Sequence, residues 1–412
     1  MKDTNLRKNF IWNTIGSLAV SIISLFYTLI LTRYSTLNQT GLYTIAFALA
    51  CNTVTLASFG GRTYQVTDTK GEISTFSYVF SRYVTVFTTV LILLLYLLSK
   101  DYSTYKSLVI ILICIFKYLE EISDVYYGIL QKNDKLYRVG QFQLFKSVIN
   151  ILVFFIIIYK TNNLLIAFSI LVIINLLYFL LLERKSAIKC EKWTWKIDKK
   201  DLKKYFNANL FICVLTFLTT YIINSPKYAI DRFLSSDLQA IFGIIIMPAT
   251  VMLLVGNFIL NPIIVMIADK YNNNKIKEIV NLMLKVFGII IVIGIIGLVA
   301  CYFLGIPFLN LIYNINLNEY KISLLIVIFG SIFYALTAGM SSILVAMRKI
   351  KSQVVANLVV ILFSFLICNF LVKEYQILGA SITYTVLIII RFIVYLFILN
   401  KAISTKKIRR GD

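Results

Sequence analysis

Histidine is absent from this chain of 412 residues, and proline is scarce, with only four residues, all in the second half. Without histidine the chain lacks the usual general base near neutral pH and the commonest metal ligand. The six cysteines are scattered, with no C-x-x-C pair, so they predict neither a zinc site nor a disulfide framework. Pro226 and Pro248 lie within apolar stretches, where the loss of a helix hydrogen bond predicts bends.

Acidic residues are also few, with 19 Asp and Glu against 41 Lys and Arg, which gives a net charge of +22. In a soluble protein such an excess would indicate nucleic-acid binding. Hydrophobic residues, however, make up 59% of the chain, whereas soluble proteins contain about 45–50%. The composition therefore predicts an integral membrane protein, in which the basic residues first have to be placed relative to the membrane.

The apolar runs predict an all-α membrane fold of about twelve transmembrane helices, at about 20 residues per helix. Short polar breaks such as KDYSTYK and YKTNN separate the runs. The predicted spans cover residues 10–32, 40–60, 78–99, 106–130, 140–160, 163–182, 205–225, 238–260, 281–304, 320–346, 353–372 and 377–399.

The basic residues predict the orientation of these spans. If the N-terminus is cytoplasmic, the cytoplasmic segments hold about 30 of the 41 Lys and Arg residues and the outward segments hold about eight. This bias predicts that both termini are cytoplasmic. The net charge is then mainly a signal of topology, and nucleic acid is not expected as a partner.

The longest and most charged connection predicts a division of the chain. It separates an N-terminal bundle, 1–182, from a C-terminal bundle, 205–412, and itself forms a basic cytoplasmic linker, 183–204. Six spans in each bundle is an even number, so both bundles enter the membrane in the same orientation. The sequence thus predicts two parallel six-helix bundles.

Motifs of enzyme sites are missing. The chain contains no G-x-x-x-x-G-K-[ST] P-loop, G-x-G-x-x-G, D-x-D or G-x-S-x-G motif. The predicted outward loops are too short to hold a catalytic domain. These absences argue against a membrane polymerase or acyltransferase and favour a non-enzymatic conduit.

Residues 109–131 contain four charges within one predicted span, namely Lys117, Glu120, Glu121 and Asp124. A charge at the centre of a membrane helix costs about 2.5–3.5 kcal/mol, so such residues usually pair or line a wet cavity. Helical spacing predicts contacts of Lys117 with Glu121 and of Glu120 with Asp124. Two ionised carboxylates repel each other, which suits a proton or another cation as a guest. The alternative is a merely hydrated cytoplasmic mouth.

Lys146 and Arg391 also lie within predicted spans. Together with Lys117 they form a net basic intramembrane set, which favours an anionic guest such as phosphate. The alternative is that these long side chains extend to the membrane surface.

Several segments resemble a known family. They are LTRYSTLNQTGLY, FGGRTYQVTD (59–68), VYYGILQKNDKLYRVG (125–140), INSPKYAIDRF (223–233) and FGIIIMPATVMLLVGNFILNPI (242–263). In order and spacing they resemble the bacterial polysaccharide-repeat flippases of the Wzx type. These flippases belong to the superfamily that also contains the MATE multidrug exporters.

The resemblance implies a function in the bacterial cytoplasmic membrane. Such proteins carry an undecaprenyl-diphosphate-linked oligosaccharide to the outer leaflet by alternating access, for O-antigen, capsule or teichoic-acid-like polymers. The implied partners are this glycan, membrane lipid, and a polysaccharide polymerase or other glycan-assembly proteins. No cofactor or metal is implied beyond a coupling ion, H⁺ or Na⁺. The alternative is a MATE-type exporter of small molecules.

The resemblance also implies roles for particular residues. Arg62 and Asp68 are expected to form a cytoplasmic gate or its ion pair, and Lys117 and Arg391 are expected to bind the diphosphate. Residues that line the outward side are expected to attract or release it, namely Arg33, Lys227, Asp231 and Arg232. Glu121 and Asp124 are expected to act in ion coupling or gating, together with the neighbouring Glu120. For the loop residues the alternative is an ordinary surface charge.

Overall fold

The computed structural model describes residues 2–191, 196–272 and 276–408, which form helices joined by short loops and contain no strand. The predicted all-α class is confirmed. The chain forms two compact units, Met1–Phe217 and Leu218–Asp412.

The first unit contains eight complete helices among the described residues and the first part of a ninth. They are α1 (Lys2–Tyr34), α2 (Leu37–Ser58), α3 (Gly61–Thr67), α4 (Thr75–Leu98), α5 (Thr104–Lys132), α6 (Leu136–Thr161), α7 (Leu164–Tyr178), α8 (Arg184–Ile188) and the beginning of α9 (Lys199–Phe233). A π-helical turn, Phe179–Glu183, joins α7 to α8.

The second unit begins within α9. Its other helices are α10 (Ser236–Ile245), α11 (Met247–Asn272), α12 (Ile276–Ala300), α13 (Ile306–Tyr313), α14 (Lys321–Ala346) and α15 (Ile350–Ile408). The predicted bundles 1–182 and 205–412 and the linker 183–204 stay a prediction. Residues 192–195 of that linker lie outside the described residues.

Ten stretches of the described chain are long and apolar enough to cross a membrane. One of them, Ile350–Ser404, contains two helices, because the backbone of Gln376 leaves the helical region (φ 47°, ψ −123°). Helix α5 is not among the ten because it carries six charged residues, four of them in its central turns, but its 29 residues suffice to span a bilayer. With these two additions, the described helices correspond to the twelve predicted spans.

Polar residues set the starts of many helices. The side chains of Thr36, Ser74, Ser103, Asn163 and Ser235 accept hydrogen bonds from the first turns of α2, α4, α5, α7 and α10. These caps satisfy N–H groups that have no partner within the helix.

The two predicted bends differ in outcome. Ile246 separates α10 from α11 two residues before Pro248, as expected for a proline-weakened helix. Helix α9, in contrast, continues through Pro226 without interruption.

Helices α1 and α6 pack closely at two glycines. A Cβ atom added at Gly140 would lie 2.0 Å from the carbonyl oxygen of Trp12, and one added at Gly16 would lie 2.5 Å from the carbonyl oxygen of Gly140. Because only glycine fits at these positions, the backbones of α1 and α6 approach each other here.

Replacing Gly140 by alanine is expected to destabilise the protein by about 1–3 kcal/mol, the usual cost of overpacking. The added methyl group would push α1 away from α6. Gly288→Ala in α12 is a matched control, since a Cβ there meets nothing within 4 Å. Thermal unfolding of the purified protein in detergent measures both, and equal stability of the two variants would contradict the expected close packing.

Candidate functional site

A cavity of about 160 Å³ lies within the first unit, between α1, α5 and α6. Three carboxylates and one ammonium group line it, so its lining carries net negative charge when all four are ionised. The lining residues are Val20, Ile23, Glu120, Glu121, Asp124, Tyr127, Gln143, Lys146, Ser147 and Asn150. A polar cavity of this size has room for water.

Four ion pairs surround the cavity. Each joins one of the four acidic residues at or near the cavity to a different basic residue, so positive and negative charges balance. The pairs are Arg62–Asp124 at 3.3 Å, Arg82–Glu121 at 3.0 Å, Lys146–Glu183 at 2.8 Å, and Lys117–Glu120.

The pair between Arg82 and Glu121 connects α4 to α5. Arg82 is only 2% exposed and also donates a hydrogen bond to the carbonyl oxygen of Ala57 at 3.0 Å. Ala57 lies in the last turn of α2, where the helix dipole favours a cation. Glu121 and the end of α2 together therefore compensate the buried charge of Arg82.

The pair between Lys146 and Glu183 is the most deeply buried of the four. Glu183 is fully buried at the end of the π-helical turn and also accepts hydrogen bonds from the hydroxyls of Ser123 and Tyr127. The wider π-helical turn directs this carboxylate inward, and such turns are frequent at functional sites. Glu183 thus holds Lys146 at the wall of the cavity.

Arg62 lies beside the cavity, where it pairs with the lining residue Asp124. Its guanidinium donates hydrogen bonds to Gln131 at 2.7 Å and to Asp124 at 3.3 Å. It follows a sharp break between α2 and α3, in which Gly60 and Gly61 have φ values of 80° and 54° that only glycine adopts readily.

The prediction of an ion pair between Arg62 and Asp68 is wrong, because the carboxylate partner of Arg62 is Asp124. Asp68 instead accepts hydrogen bonds from two backbone N–H groups of the next loop and from the hydroxyl of Tyr78. Burial raises the pKa of Asp68, but these hydrogen bonds outweigh it and lower the pKa from its ordinary value. A gating role of these two residues stays a prediction.

The pairing predicted within α5 needs correction as well. Lys117 pairs with Glu120, three residues on, and not with Glu121, because Glu121 binds Arg82 on α4. Lys117 and Lys146 are each neutralised by a carboxylate. The predicted excess of positive charge is therefore not found in this cluster, and the roles of these lysines in anion binding stay predictions.

Arg391 lies in the second unit and has a different environment. It is 2% exposed, and its guanidinium donates hydrogen bonds to Asn357, Thr219 and Tyr395 at 3.0–3.3 Å. Among the described residues no carboxylate pairs with it. This cation is therefore buried among neutral acceptors.

The residues expected on the outward side lie at the ends of helices. Arg33 is in the last turn of α1, and Lys227, Asp231 and Arg232 lie in the final two turns of α9. The cation of Arg232 stands 5.3 Å from the ring centre of Phe233. Their attraction for a diphosphate stays a prediction.

Sequence reasoning missed Arg82 and Glu183. Both lie close to the ends of predicted spans, where a charge is normally explained by contact with headgroups. The position of Arg82 could have indicated its role. It is the fifth residue of its predicted span and therefore lies within the apolar part.

Comparison with solved structures identifies the fold of the chain. The chain has the fold of the MATE transporters of the MOP superfamily. It matches an inward-facing multidrug resistance MATE family transporter with a TM-score of 0.67 at 13% identity, over 96% of this chain and 95% of that chain. It matches the Vibrio cholerae MATE transporter VcmN in the bent form with a TM-score of 0.58 at 15% identity, over 98% of both chains.

The sequence itself is similar to one curated relative along its whole length. This is the capsular polysaccharide biosynthesis protein CapF of Staphylococcus aureus, which is 25% identical over 404 residues, 95% of this chain and 98% of the relative. No family model matches the chain. The fold and this relative confirm the resemblance predicted from the sequence, and the chain is a multi-pass membrane protein.

Proposed function

We propose that the chain is a flippase for undecaprenyl-diphosphate-linked oligosaccharide repeat units. It would carry them across the bacterial cytoplasmic membrane by alternating access, for the biosynthesis of a surface polysaccharide. The similarity to CapF over 95% of the chain carries the proposal, because it joins polysaccharide assembly to a transporter fold. Repeat units made inside a cell and used outside it require such a transporter.

The chemistry of the substrate fits the charges of the second unit. A diphosphate binds guanidinium groups through charge-assisted hydrogen bonds. Arg391 offers a buried guanidinium that no carboxylate of the described chain neutralises. Lys227 and Arg232, near the end of α9 in the same unit, would supply further cations, while the lipid tail stays in the bilayer.

The cavity of the first unit fits ion coupling rather than diphosphate binding. Its three carboxylates, Glu120, Glu121 and Asp124, would repel an anion and attract H⁺ or Na⁺. A cation bound there would compete with Arg82 and Arg62 for their carboxylate partners. The occupancy of the cavity would then bias the positions of α2 to α5, as alternating access requires.

Deletion of the gene tests the proposed function. We expect loss of the surface polysaccharide, with accumulation of lipid-linked repeat units in the cytoplasmic membrane. Immunoblots and mass spectrometry of extracted lipids measure the two quantities. The wild-type gene and a Lys373→Ala variant, which changes an exposed residue, should both restore export.

A MATE-type exporter of small molecules is the second candidate, favoured by the acidic lining of the cavity. The deletion separates the two functions. Unchanged surface polysaccharide together with increased sensitivity to cationic drugs would contradict the flippase and support the exporter.

A further inference from the structure

Five basic residues lie together at one end of the first unit. They come from the start of α1, from the start of α6, and from α8 with the residue after it; the residues are Lys8, Lys135, Arg138, Lys185 and Lys189. The predicted topology places all three elements on the cytoplasmic side of the membrane. We call these five residues the basic patch.

Contacts between α1 and α6 fix one side of the basic patch. The side chain of Asn9 accepts a hydrogen bond from the backbone N–H of Tyr137 at 2.8 Å and donates one to the carbonyl oxygen of Asp134 at 3.2 Å. Asn9 of α1 thus satisfies a free N–H group at the start of α6, which has no capping side chain of its own. The ammonium of Lys8 stands 4.0 Å from the ring centre of Tyr137.

Two cations of the basic patch hold α8 against α6. Arg138 donates a hydrogen bond to the hydroxyl of Ser186 at 3.1 Å, and Lys135 donates one to the sulfur of Cys190 at 3.2 Å. Both acceptors are neutral, so these bonds do not compensate the positive charges. They bring the exposed lysines that precede the two acceptors in the chain close to the cations of α6.

The charge of the basic patch is not compensated within the described chain. None of its five members forms an ion pair with a described residue. Three acidic residues are close in sequence, but Glu183 pairs with Lys146 inside the unit. Glu191 accepts a hydrogen bond from Thr75, and Asp134 forms no ion pair with a described residue. Uncompensated like charges repel each other, so an external anion would stabilise the patch.

Exposed apolar side chains lie next to these cations. Leu182 lies one turn before Lys185 and is 46% exposed, and Ile188 lies beside Lys189 and is 36% exposed. Helix α8 begins two residues after the predicted span 163–182, so it lies at the depth of the lipid headgroups. Cationic and apolar side chains on one exposed surface are typical of segments that lie in the membrane interface.

We propose that the basic patch binds the phosphate groups of anionic phospholipids, such as phosphatidylglycerol, in the cytoplasmic leaflet. Because its cations converge from three elements, several of them can contact one headgroup through charge-assisted hydrogen bonds. The acyl chains then lie along the exposed apolar side chains of α7 and α8. The bound lipid neutralises the patch and keeps α8 at the membrane surface. This site does not depend on the proposed function.

Native mass spectrometry of the full-length protein in detergent, with added phosphatidylglycerol or phosphatidylcholine, tests the site. The wild type should bind phosphatidylglycerol in preference. The triple variant Lys8→Gln, Lys185→Gln, Lys189→Gln should bind it at least about tenfold more weakly, since each lysine near an anionic surface contributes roughly a factor of five. The three side chains are exposed and donate no hydrogen bond to a described residue, so the variant should unfold at the wild-type temperature.

A second triple variant, Lys196→Gln, Lys199→Gln, Lys203→Gln, is the matched control. It removes the same number of exposed charges, but from one segment that also carries Asp198 and Asp201. It should bind phosphatidylglycerol as the wild type does. Equal losses in the two triple variants would overturn the site and leave only a general attraction between charges. Full lipid binding by the first variant would also overturn it, and would point to an acidic protein as the partner of the patch.

Discussion

Replacing Glu183 by alanine is expected to lower the free energy of unfolding by about 3–5 kcal/mol, the usual effect of removing one partner of a buried ion pair. The fully buried carboxylate accepts hydrogen bonds from the ammonium of Lys146 and from the hydroxyls of Ser123 and Tyr127. Without it, the buried ammonium of Lys146 loses its ion-pair partner. Thermal or denaturant unfolding of the purified protein in detergent measures the loss.

Two further variants separate charge from packing. The double variant Lys146→Met, Glu183→Leu removes both charges and should recover at least half of the loss, because apolar residues often replace a buried pair at little cost. Glu183→Gln keeps an acceptor for the hydroxyls and should lie between the wild type and Glu183→Ala. A double variant as unstable as Glu183→Ala would show that the ion pair is not the cause.

The spans could be predicted from the sequence because a membrane helix must be both long and apolar. Each predicted span coincides with a helix of the described chain. This includes α5, although its charges make it less apolar than the other spans. The break at Gln376 falls between the predicted spans 353–372 and 377–399. The π-helical turn Phe179–Glu183 was not predicted, since it results from packing and leaves no periodic signal.

The candidate site was predicted only in part. Periodicity places Lys117, Glu120, Glu121 and Asp124 on one helix, and the structure brings the three carboxylates to one cavity, with Lys117 paired to Glu120. Their partners on other helices depend on tertiary packing, which one helix does not encode. Glu121 could not be assigned to Arg82 for this reason, and Lys117 was assigned the wrong carboxylate, since both i+3 and i+4 positions are within its reach.

The correction of these pairs changes which cation is the better ligand for a diphosphate. Lys117 and Lys146 would have to give up a carboxylate before they bound an anion, and the liberated carboxylate would repel it. Arg391 has only neutral partners among the described residues, so its charge is available without this cost. The proposed division of tasks follows: ion coupling in the first unit and diphosphate binding in the second.

Replacing Arg391 by glutamine is therefore expected to reduce export of surface polysaccharide by at least about tenfold, equivalent to about 1.4 kcal/mol. Glutamine can still bond to Asn357 and Thr219 but has no charge to attract a diphosphate. Arg391→Lys keeps the charge and should retain several times more export than Arg391→Gln. Lys117→Ala should reduce export less than Arg391→Gln, because Lys117 is already paired with Glu120 and is the poorer ligand for an anion.

Export per molecule of membrane-inserted protein, measured by immunoblot of both polysaccharide and transporter, separates transport from folding. The matched control is Lys373→Ala, which removes an exposed positive charge between the two helices of α15 and should leave export unchanged. Glutamine and lysine variants with equal export would contradict a role of the charge. They would leave Arg391 as a hydrogen-bonding residue that holds Asn357, Thr219 and Tyr395 in place.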